Sequence, residues 1–373
     1  MKIVEINTFS NGSTGKIASG YVKKYIAEGH DCILLYARGP EREDIPSKKI
    51  SNSFGIRLHG VLSRIFDNHG LNSGHSTKRL IKFLQKYDPD IIHLHNIHGY
   101  YLNYKILFAY LRESRAAIQW TLHDCWSFTG HCAYFSYVGC DKWLTCCNKC
   151  PQKHSYPKSF FLDRSKRNYI LKKSAFTSIP NNRIELFVPS QWLKDLVAKS
   201  FLADYKCSVV RNTIDQKIFY PCDRGEFRQK YALMDKKIIL GVANVWEKRK
   251  GYDYFLELDS KIDHNYAVIV LVGVSKKQKK WLSRHTSILP ICRTENQREL
   301  AEIYSTSDVF FNPTLEENYP TVNLEAQHCG TMVFTFDTGG AKETDIGKGL
   351  LRITSDSVYV KQLFNYIFNG TNK

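Results

Sequence analysis

The stretch "DVFFNPTLEENYPTVNLEAQHCGTMVFTFD", residues 308–337, decides the fold class. It predicts an apolar strand, a polar loop, a helix that begins near Pro320, and a second apolar strand. Two carboxylates, Glu317 and Glu325, stand on either side of Pro320, which argues against one continuous helix through both. Strands joined by a helix in this way lie parallel, and open parallel sheets bind ligands at the carboxyl ends of their strands. We therefore expect Glu317 on the rim of a binding site and Glu325 within the following helix.

The same alternation of strand and helix runs through the whole chain and predicts an α/β protein with two doubly wound, Rossmann-like parallel-sheet domains. The alternation is interrupted once, by a linker-like segment that contains Pro221 and Gly225. The first domain is predicted to span 1–212, the linker 213–225 and the second domain 226–373. We expect the two domains to face a central cleft and the last helix to pack back on the first domain. Further strands are predicted at 2–7, 31–37, 89–95, 116–124, 184–190, 206–215 (with a turn), 237–245 and 266–273, and further helices at 15–30, 191–201, 295–307 and from Gly251.

The composition is that of an ordinary globular protein with an excess of basic residues. Of 373 residues, 43% are hydrophobic and 24% charged, and 53 Lys and Arg against 36 Asp and Glu give a net charge of +17. This excess favours an anionic partner, such as a phosphate-bearing ligand, an acidic membrane face or a nucleic acid. No apolar run approaches the roughly 20 residues that span a bilayer, and Glu5 interrupts the apolar start, which does not resemble a signal peptide. The odd number of cysteines, 11, favours thiols in a reducing cytoplasm.

Two loops that follow predicted strands have the composition of anion-binding sites. "NGSTGK", residues 11–16, opens the first helix, where backbone amides and the helix dipole favour an anion. "VWEKRKGYDYF", residues 245–255, places three cations before Gly251 after the first strand of the second domain. A glycine-rich turn and a solvated run of charge are the simpler alternatives for these two segments.

Eight segments occur in this order along nearly the whole chain: "GSTGKI", "HLHNIHGYYLN", "WTLHDCWSFTGHC", "FVPSQWL", "RNTID", "KRKG", "ENQRELAEIYSTSDVFFNPT" and "EENYPTVNLEAQHCGTMVFTFDTGGAKE". Together they resemble the retaining nucleotide-sugar glycosyltransferases of family 4, which have the GT-B fold. "GSTG", "HDCWSFTG" and the cysteine segment resemble most the branch of colanic-acid type, which builds bacterial exopolysaccharides.

The resemblance implies a role for individual residues at the donor site. Glu325 would bind the ribose hydroxyls, Lys250 the diphosphate, and Glu317 and His123 the transferred sugar at the reaction centre. The diphosphate and sugar would also meet backbone groups of two loops, Gly12, Ser13, Thr14 and Gly15 in one and Asn318, Tyr319, Pro320 and Thr321 in the other.

The chain departs from the family pattern at two positions. Asn244 stands where many members have an arginine, so Arg249 or Lys248 would have to supply the missing charge near the diphosphate. Thr213 stands where the family has glycine, which indicates a local change of turn.

The implied reaction is retaining, metal-independent transfer of a hexosyl group from UDP- or GDP-hexose to a lipid-linked saccharide acceptor, with no cofactor. A GT-B phosphorylase or a sucrose-type synthase is an alternative within the same fold. A basic nucleic-acid-binding protein is an alternative from another class, but the cations are scattered and no reader motif is recognisable, so no nucleic-acid partner is expected.

The segment "HCAYFSYVGCDKWLTCCNKCPQ", within an expected insertion at about 130–151, contains five of the eleven cysteines. Cys147 and Cys150 have the spacing of a zinc knuckle, and Cys132 and Cys140 could complete a structural site with four thiolates. Free thiols that pack a loop are the alternative. For His93, His95 and His98 we expect a structural role or a place in the lining of a cleft rather than metal binding.

Two basic segments remain. Residues 158–176 mix aromatic and aliphatic side chains with six cations, which is consistent with peripheral contact with an anionic membrane on its inner face. A helix with one core face and one solvated face is the alternative. "SKKQKKW", residues 275–281, is expected to be a solvated loop or the start of a helix.

Overall fold

The protein divides into two compact units, Met1–Arg211 and Asn212–Lys373. The computed structural model describes residues 1–222, 225–353 and 358–369. Each unit is built on one sheet in which all paired strands run parallel, as the alternation of strands and helices predicts. Within the described ranges, no helix combines the length and the apolar character needed to cross a membrane.

The first unit contains a seven-stranded sheet in the order β3-β2-β1-β4-β5-β6-β7. Helices cover both faces: Ala18 and Val22 of α1 pack on one face, and Leu107 and Phe108 of α4 on the other. The elements are β1 (Lys2–Phe9), α1 (Gly12–Ala27), β2 (Asp31–Arg38), β3 (Ser47–Lys49), α2 (Ser53–Phe66), α3 (Gly74–Tyr87), β4 (Ile91–Leu94), α4 (Tyr104–Glu113), β5 (Ala117–Thr121), α5 (Ser165–Phe176), β6 (Ile184–Val188), α6 (Gln191–Val197) and β7 (Lys206–Val209).

The second unit contains a six-stranded sheet in the order β10-β9-β8-β11-β12-β13. Strand β9, which lies between β10 and β8, is buried at every position, which explains the continuous apolar run in residues 266–273. The elements are α7 (Gly225–Lys230), β8 (Lys237–Val242), α8 (Tyr252–Asp259), β9 (Ala267–Val272), α9 (Lys276–His285), β10 (Leu289–Ile291), α10 (Gln297–Thr306), β11 (Val309–Asn312), α11 (Thr321–His328), β12 (Met332–Phe336), β13 (Leu350–Ile353) and α12 (Tyr359–Asn369).

The predicted linker is packed against the second unit. Phe219 is 2% exposed in the core of that unit, and Ile214 and Ile218 pack against the same cluster. The segment therefore contributes apolar side chains to this core, and the bounds of the linker stay a prediction; residues 223 and 224 lie outside the described part.

The last helix, α12, buries Tyr359, Leu363 and Ile367 in the core of the second unit. Its packing on the first domain stays a prediction. Residues 275–281 prove to be a helix start, because Ser275 and Gln278 form a capping box at the beginning of α9.

Both sheets reverse their strand order beside the first strand of the unit. In the first unit the reversal lies between β1 and β4, and in the second between β8 and β11. The carboxyl ends at such a reversal leave a crevice in which doubly wound proteins bind ligands. Most of the residues expected to bind the donor follow β1, β5, β8 or β11, and Glu325 lies within α11.

Candidate functional site

In the second unit, the loops after β8 and β11 are joined by hydrogen bonds to a backbone carbonyl group. The amide of Leu315 donates to the carbonyl oxygen of Arg249 over 2.8 Å, and the hydroxyl of Thr314 donates to the same oxygen over 3.3 Å. Gly251 has φ +73°, and a Cβ at this position would collide with the carbonyl oxygen of Pro313. Glycine therefore permits the two loops to approach, and the approach carries the adjacent cations to the loop that contains Glu317.

Glu317 lies between two cations at this junction. Its Oε2 atom accepts a hydrogen bond from Lys250 Nζ and lies 3.3 Å from Arg249 Nη1. Arg249 Nη1 also donates to the carbonyl oxygen of Glu316 over 2.7 Å. The side chains of Arg249, Lys250 and Glu317 are 9%, 22% and 14% exposed, so the cluster is partly closed to water.

The positive and negative groups of this cluster stabilise one another in their charged forms. Burial raises the pKa of Glu317, but the positive charges of Lys250 and Arg249 outweigh it and bring that pKa below its ordinary value. Burial lowers the pKa of Lys250, with a further contribution from Arg249, and the carboxylate of Glu317 opposes both. A second carboxylate, that of exposed Glu247, lies 3.4 Å from Arg249 Nε, so Lys250 is the cation of this cluster that is better placed to meet a bound diphosphate.

Glu325 lies in α11, which begins at Thr321 directly after Pro320, as the sequence predicts. The carboxylate is 8% exposed and accepts a hydrogen bond of 3.2 Å from the hydroxyl of Tyr304. The pKa of Tyr304 is raised well above its ordinary value, first by burial and then by the charge of Glu325. Tyr304 therefore keeps its proton and orients the carboxylate of Glu325.

A buried amide network fixes α11 on the end of β11. Asn312 Nδ2 donates to Asn323 Oδ1 over 2.8 Å, and Asn323 Nδ2 donates to Thr344 Oγ1 over 2.9 Å. Gln327 Nε2 donates to the carbonyl oxygen of Thr344 over 2.8 Å. Because each of these polar groups is buried and paired, the position of the helix that carries Glu325 is well defined.

The remaining predicted donor residues of the second unit differ in position. Asn318 and Tyr319 are buried in the loop before α11, and the carbonyl oxygen of Tyr319 accepts a hydrogen bond of 3.3 Å from Asn212 Nδ2. Asn244 and Lys248 are exposed. Of the two cations considered as replacements for the missing family arginine, Arg249 is the one that contacts Glu317.

In the first unit, the glycine loop forms the start of α1. Gly12 has φ +71° and is exposed together with Ser13, whereas Gly15 is buried against the end of β1. A Cβ on Gly15 would lie 2.8 Å from the carbonyl carbon of Ser10, so only glycine allows this approach of helix to strand. Asn7 Nδ2 donates to Thr14 Oγ1 over 3.3 Å and ties the loop to the strand.

His123 lies at the end of a buried chain of hydrogen bonds in the first unit. Glu5 Oε2 is 2.6 Å from His95 Nε2, and His95 Nδ1 is 3.2 Å from His123 Nε2. Burial raises the pKa of Glu5, but the two neighbouring histidines, His93 and His95, bring it below its ordinary value. Burial, together with His93, lowers the pKa of His95 to about 4, and burial and His95 hold the pKa of His123 well below its usual range.

The directions of these pKa shifts, together with the hydrogen bonds, determine which ring nitrogens of His95 and His123 carry the proton. An anionic Glu5 only accepts, so the Nε2–H of neutral His95 donates to it and leaves Nδ1 as an acceptor. His123 must then donate through Nε2–H, which leaves its own Nδ1 unprotonated. The hydrogen-bonded series Glu5–His95–His123 therefore holds neutral His123 in one tautomer and one orientation.

The other two histidines of "HLHNIHG" are also paired in the core. His93 Nδ1 is 3.1 Å from Glu5 Oε1, and its Nε2 is 2.8 Å from the hydroxyl of Thr121. His98 Nε2 is 3.1 Å from Asp124 Oδ2. The ligand atoms of Glu5, His93 and His95 lie within 4.8 Å of one another, which would also suit a metal ion, but hydrogen bonds already occupy both oxygens of Glu5.

Sequence reasoning missed Glu5 and Tyr304 as parts of the candidate sites. A glutamate inside the apolar strand "KIVEIN" was a usable signal, because a buried carboxylate requires partners on the neighbouring strand. Tyr304 gave no such signal, because a tyrosine in an amphipathic helix is ordinary core material.

The structure brings together four of the five cysteines in the segment that contains the predicted cysteine site. Cys132, Cys140, Cys147 and Cys150 line one small cavity in the first unit, and all four carry free thiols. The fifth cysteine of the segment, Cys146, is absent from that lining.

Comparison with known families agrees with this geometry. A family model described as Glycosyltransferase Family 4 matches residues 20–217, and one described as Glycosyl transferases group 1 matches residues 223–348. The first of these models alone covers more than half of the chain, which therefore belongs to glycosyltransferase family 4.

Curated relatives match over shorter segments. A protein of Escherichia coli (strain K12) named as the colanic acid biosynthesis glycosyl transferase WcaC is 32% identical over 132 residues, which is 34% of this chain and 32% of the relative. A D-inositol 3-phosphate glycosyltransferase of Stackebrandtia nassauensis is 27% identical over 151 residues, 36% of this chain and 34% of the relative. The matched part of the chain thus spans about a third of the length of these relatives.

Solved structures match over nearly the full length and show the GT-B fold. Sucrose-phosphate synthase from Thermosynechococcus elongatus has a TM-score of 0.70 and 14% identity, with 99% of this chain and 90% of that chain covered. Anabaena Alr3699/HepE in complex with UDP-glucose has a TM-score of 0.67 and 12% identity, with 99% and 90% covered. WaaG, a glycosyltransferase involved in lipopolysaccharide biosynthesis, has a TM-score of 0.64 and 14% identity, with 98% and 89% covered.

Proposed function

We propose that the protein is a retaining glycosyltransferase that moves a hexosyl group from UDP- or GDP-hexose to a lipid-linked saccharide in exopolysaccharide or capsule synthesis. The observation that carries the proposal is the position of Glu317 between Arg249 and Lys250 at the carboxyl ends of β8 and β11. The complex of a solved structural neighbour with UDP-glucose and the sequence similarity to WcaC support the donor class and the pathway, respectively.

In the proposed reaction, the donor diphosphate binds beside Lys250 and Arg249. The bond between the anomeric carbon and the phosphate oxygen breaks through an oxocarbenium-like state, and the acceptor hydroxyl attacks the same face. The new bond joins the acceptor oxygen to the anomeric carbon, and the hydroxyl proton passes to the departing phosphate oxygen. The two cations and the amides at the start of α11 stabilise the departing charge, which is the role that a metal ion has in other transferases.

The two glutamates have different tasks in this proposal. Glu325, oriented by Tyr304, accepts hydrogen bonds from the ribose hydroxyls of the donor. Glu317 accepts from hydroxyls of the transferred sugar and interacts with the positive charge that develops on it. For the glycine loop 12–15 and for His123, roles at the diphosphate and the sugar rest on the family resemblance alone.

A panel of nucleotide sugars tests the proposal. A donor at 100 times its dissociation constant should stabilise the protein by about 2.7 kcal/mol, which a thermal-shift assay detects. We expect this shift with a UDP- or GDP-hexose in the wild type and in Glu257→Ala, an exposed glutamate of α8, and its loss in Glu325→Ala. NMR of the product should show the anomeric configuration of the donor. No stabilisation by any nucleotide sugar, or an inverted product, would contradict the proposal.

A phosphorylase or a sucrose-type synthase is the second candidate, favoured by the structural likeness to sucrose-phosphate synthase. A transfer assay in which inorganic phosphate, fructose and fructose 6-phosphate are offered as acceptors separates the two candidates. Transfer to one of these small acceptors in preference to a lipid-linked saccharide would favour the second candidate.

A further inference from the structure

Residues 129–164 of the first unit fold with little regular structure. Between β5 and α5 the chain forms only short single turns, at Trp126–Phe128, Ser136–Val138 and Lys142–Leu144. Phe135 and Trp143 are nevertheless buried, at 3% each. Turn and loop hydrogen bonds hold this segment, for example from the amide of Cys140 to the carbonyl oxygen of Phe135 and from the amide of Ser159 to that of Lys153, and a bound metal ion would add a further link.

Four thiols converge in this segment. Cys132, Cys140, Cys147 and Cys150 line a single small cavity whose apolar walls include Phe135 and Trp143. They come from three separate turns of the chain, so a common ligand would join all three. Cys146 neighbours Cys147 in sequence but is absent from the lining of the cavity.

One of the four thiols already receives a hydrogen bond of the kind that stabilises a thiolate. The amide of Gly130 donates to Cys147 Sγ over 3.2 Å. Backbone donors to sulfur orient the ligands of a metal–thiolate site and offset their charge.

We propose that Cys132, Cys140, Cys147 and Cys150 bind one structural zinc ion as four thiolates. Soft thiolate ligands in a closed, four-coordinate set select zinc, and the spacing Cys147-x2-Cys150 is that of zinc knuckles. As zinc binds, each thiol loses its proton to solvent and each sulfur forms one bond to the metal. The proposal concerns the stability of the first unit and does not depend on the proposed transferase activity.

Binding would draw the thiols closer together. With zinc–sulfur bonds of about 2.3 Å, tetrahedral geometry places the sulfurs about 3.8 Å apart. Among the described residues, the trio of ligand atoms within 4.8 Å of one another is that of Glu5, His93 and His95, so no three of the four cysteine sulfurs lie that close together. We therefore expect zinc binding to bring the four sulfurs together.

Metal analysis of the purified full-length chain tests the proposal. We expect about one equivalent of zinc in the wild type and in the matched control Cys146→Ser, and its loss in Cys147→Ser and Cys150→Ser. When a thiol reagent modifies the four ligand cysteines, zinc should be released, whereas modification of Cys146 should release none.

A second measurement covers the case in which the ligand variants fail to fold. Wild-type protein loaded with cobalt in place of zinc should show the absorption of a tetrahedral cobalt–thiolate site, and this signal should persist in Cys146→Ser. Three results would overturn the proposal: a wild type without metal in which all eleven thiols react in the native state; a full zinc equivalent in the double variant Cys147→Ser/Cys150→Ser; or a disulfide that links Cys132 to Cys150.

Discussion

Lys250 and Arg249 have different environments, although they are adjacent in the sequence and both contact Glu317. Arg249 is buried and also bonded to the carbonyl oxygen of Glu316, so its position is set by the protein. Lys250 is more exposed, and its ammonium donates to the carboxylate of Glu317, so it can turn towards a bound anion. Arg249 therefore serves as a fixed positive charge and Lys250 as the cation that meets the ligand.

We predict that Lys250→Ala lowers kcat/KM by about 100-fold. This corresponds to about 3 kcal/mol, the usual cost of losing one preorganised donor that stabilises charge in a transition state. Lys248→Ala is the matched control, because Lys248 is in the same turn and exposed. Steady-state kinetics and a thermal unfolding curve for each variant make the measurement. Equal activity of Lys250→Ala and the wild type, at equal folding, would show that the donor diphosphate binds elsewhere.

The chain Glu5–His95–His123 makes a second prediction at the scale of single residues. Glu5→Gln removes a buried carboxylate that pairs with two histidines, and hydrogen bonds to a charged group contribute about 1.5–3 kcal/mol each. We therefore expect urea unfolding to show a loss of a few kcal/mol, whereas Glu28→Gln, an exposed control in the same unit, should have little effect.

A spectroscopic measurement distinguishes an effect of Glu5 on the orientation of the histidine rings from an effect on stability alone. In the wild type, ¹⁵N NMR of the histidine rings should show His95 protonated at Nε2 and His123 protonated at Nε2, both neutral at pH 7. Glu5→Gln should allow the other tautomers, because glutamine can donate as well as accept. Unchanged tautomers in a folded Glu5→Gln protein would count against the role assigned to Glu5.

At the scale of secondary structure, the sequence predicts the strands best. Buried parallel strands are continuous apolar runs, and 237–245 and 266–273 both contain one of the observed strands, β8 and β9. Helices α2 and α3 were not predicted, although Asn52 caps the start of α2 through its side chain and Ser73 stands at the N-cap position of α3, so usable start signals were overlooked.

The limits of sequence reasoning are clearest for α5. Lys172 belongs to a segment with six cations, which suggests a solvated position, but its side chain is buried. Its ammonium donates to the carbonyl oxygens of Trp126 over 2.6 Å and Thr129 over 3.0 Å. These acceptors are distant in sequence, and no local pattern could have indicated them. The positions of Lys250 and Glu317 were predictable for the complementary reason that they lie in loops after strongly apolar strands, whereas their roles rest on the family resemblance.

The turn that joins β8 to α8 allows a matched test of backbone geometry. Gly251 and Gly347 both have φ +73°, but a Cβ would collide with Pro313 only at Gly251 and would meet open space at Gly347. A left-handed backbone costs a residue with a side chain roughly 1–2 kcal/mol, so Gly347→Ala should lose about that amount. Gly251→Ala should lose more and should also impair donor binding, because the collision separates the loops that carry Lys250 and Glu317. Urea unfolding and donor affinity measure the two effects; equal losses in both variants would contradict this account.

For the whole molecule, the charge of +17 and the distribution of apolar surface must be considered together. Helix α2 exposes Phe54, Leu58 and Val61 along one face. Phe160 and Phe161 are also exposed, and the amide of Phe160 donates to the carbonyl oxygen of Arg64 at the end of α2. The first unit therefore has an apolar surface with arginine and lysine beside it, whereas α5 itself buries one face in the core.

We predict that this surface binds anionic membranes, where a lipid-linked acceptor would be located. Exposed aromatic side chains can enter the interface while nearby cations meet lipid phosphates, so binding should need both anionic lipid and low salt. Complete burial of one aromatic side chain contributes roughly 1.5–3 kcal/mol, so the partial insertion of two implies that Phe160→Ser/Phe161→Ser weakens binding on the order of tenfold or more. Met234→Ser/Tyr266→Ser is the control, because these apolar residues of the second unit are similarly exposed, at 58% and 62%. Co-sedimentation with phosphatidylglycerol vesicles and with neutral vesicles makes the measurement. If both double variants sediment like the wild type, the protein must meet its acceptor without this surface. Equal binding of neutral vesicles would show that anionic lipid is not needed, which also contradicts the prediction.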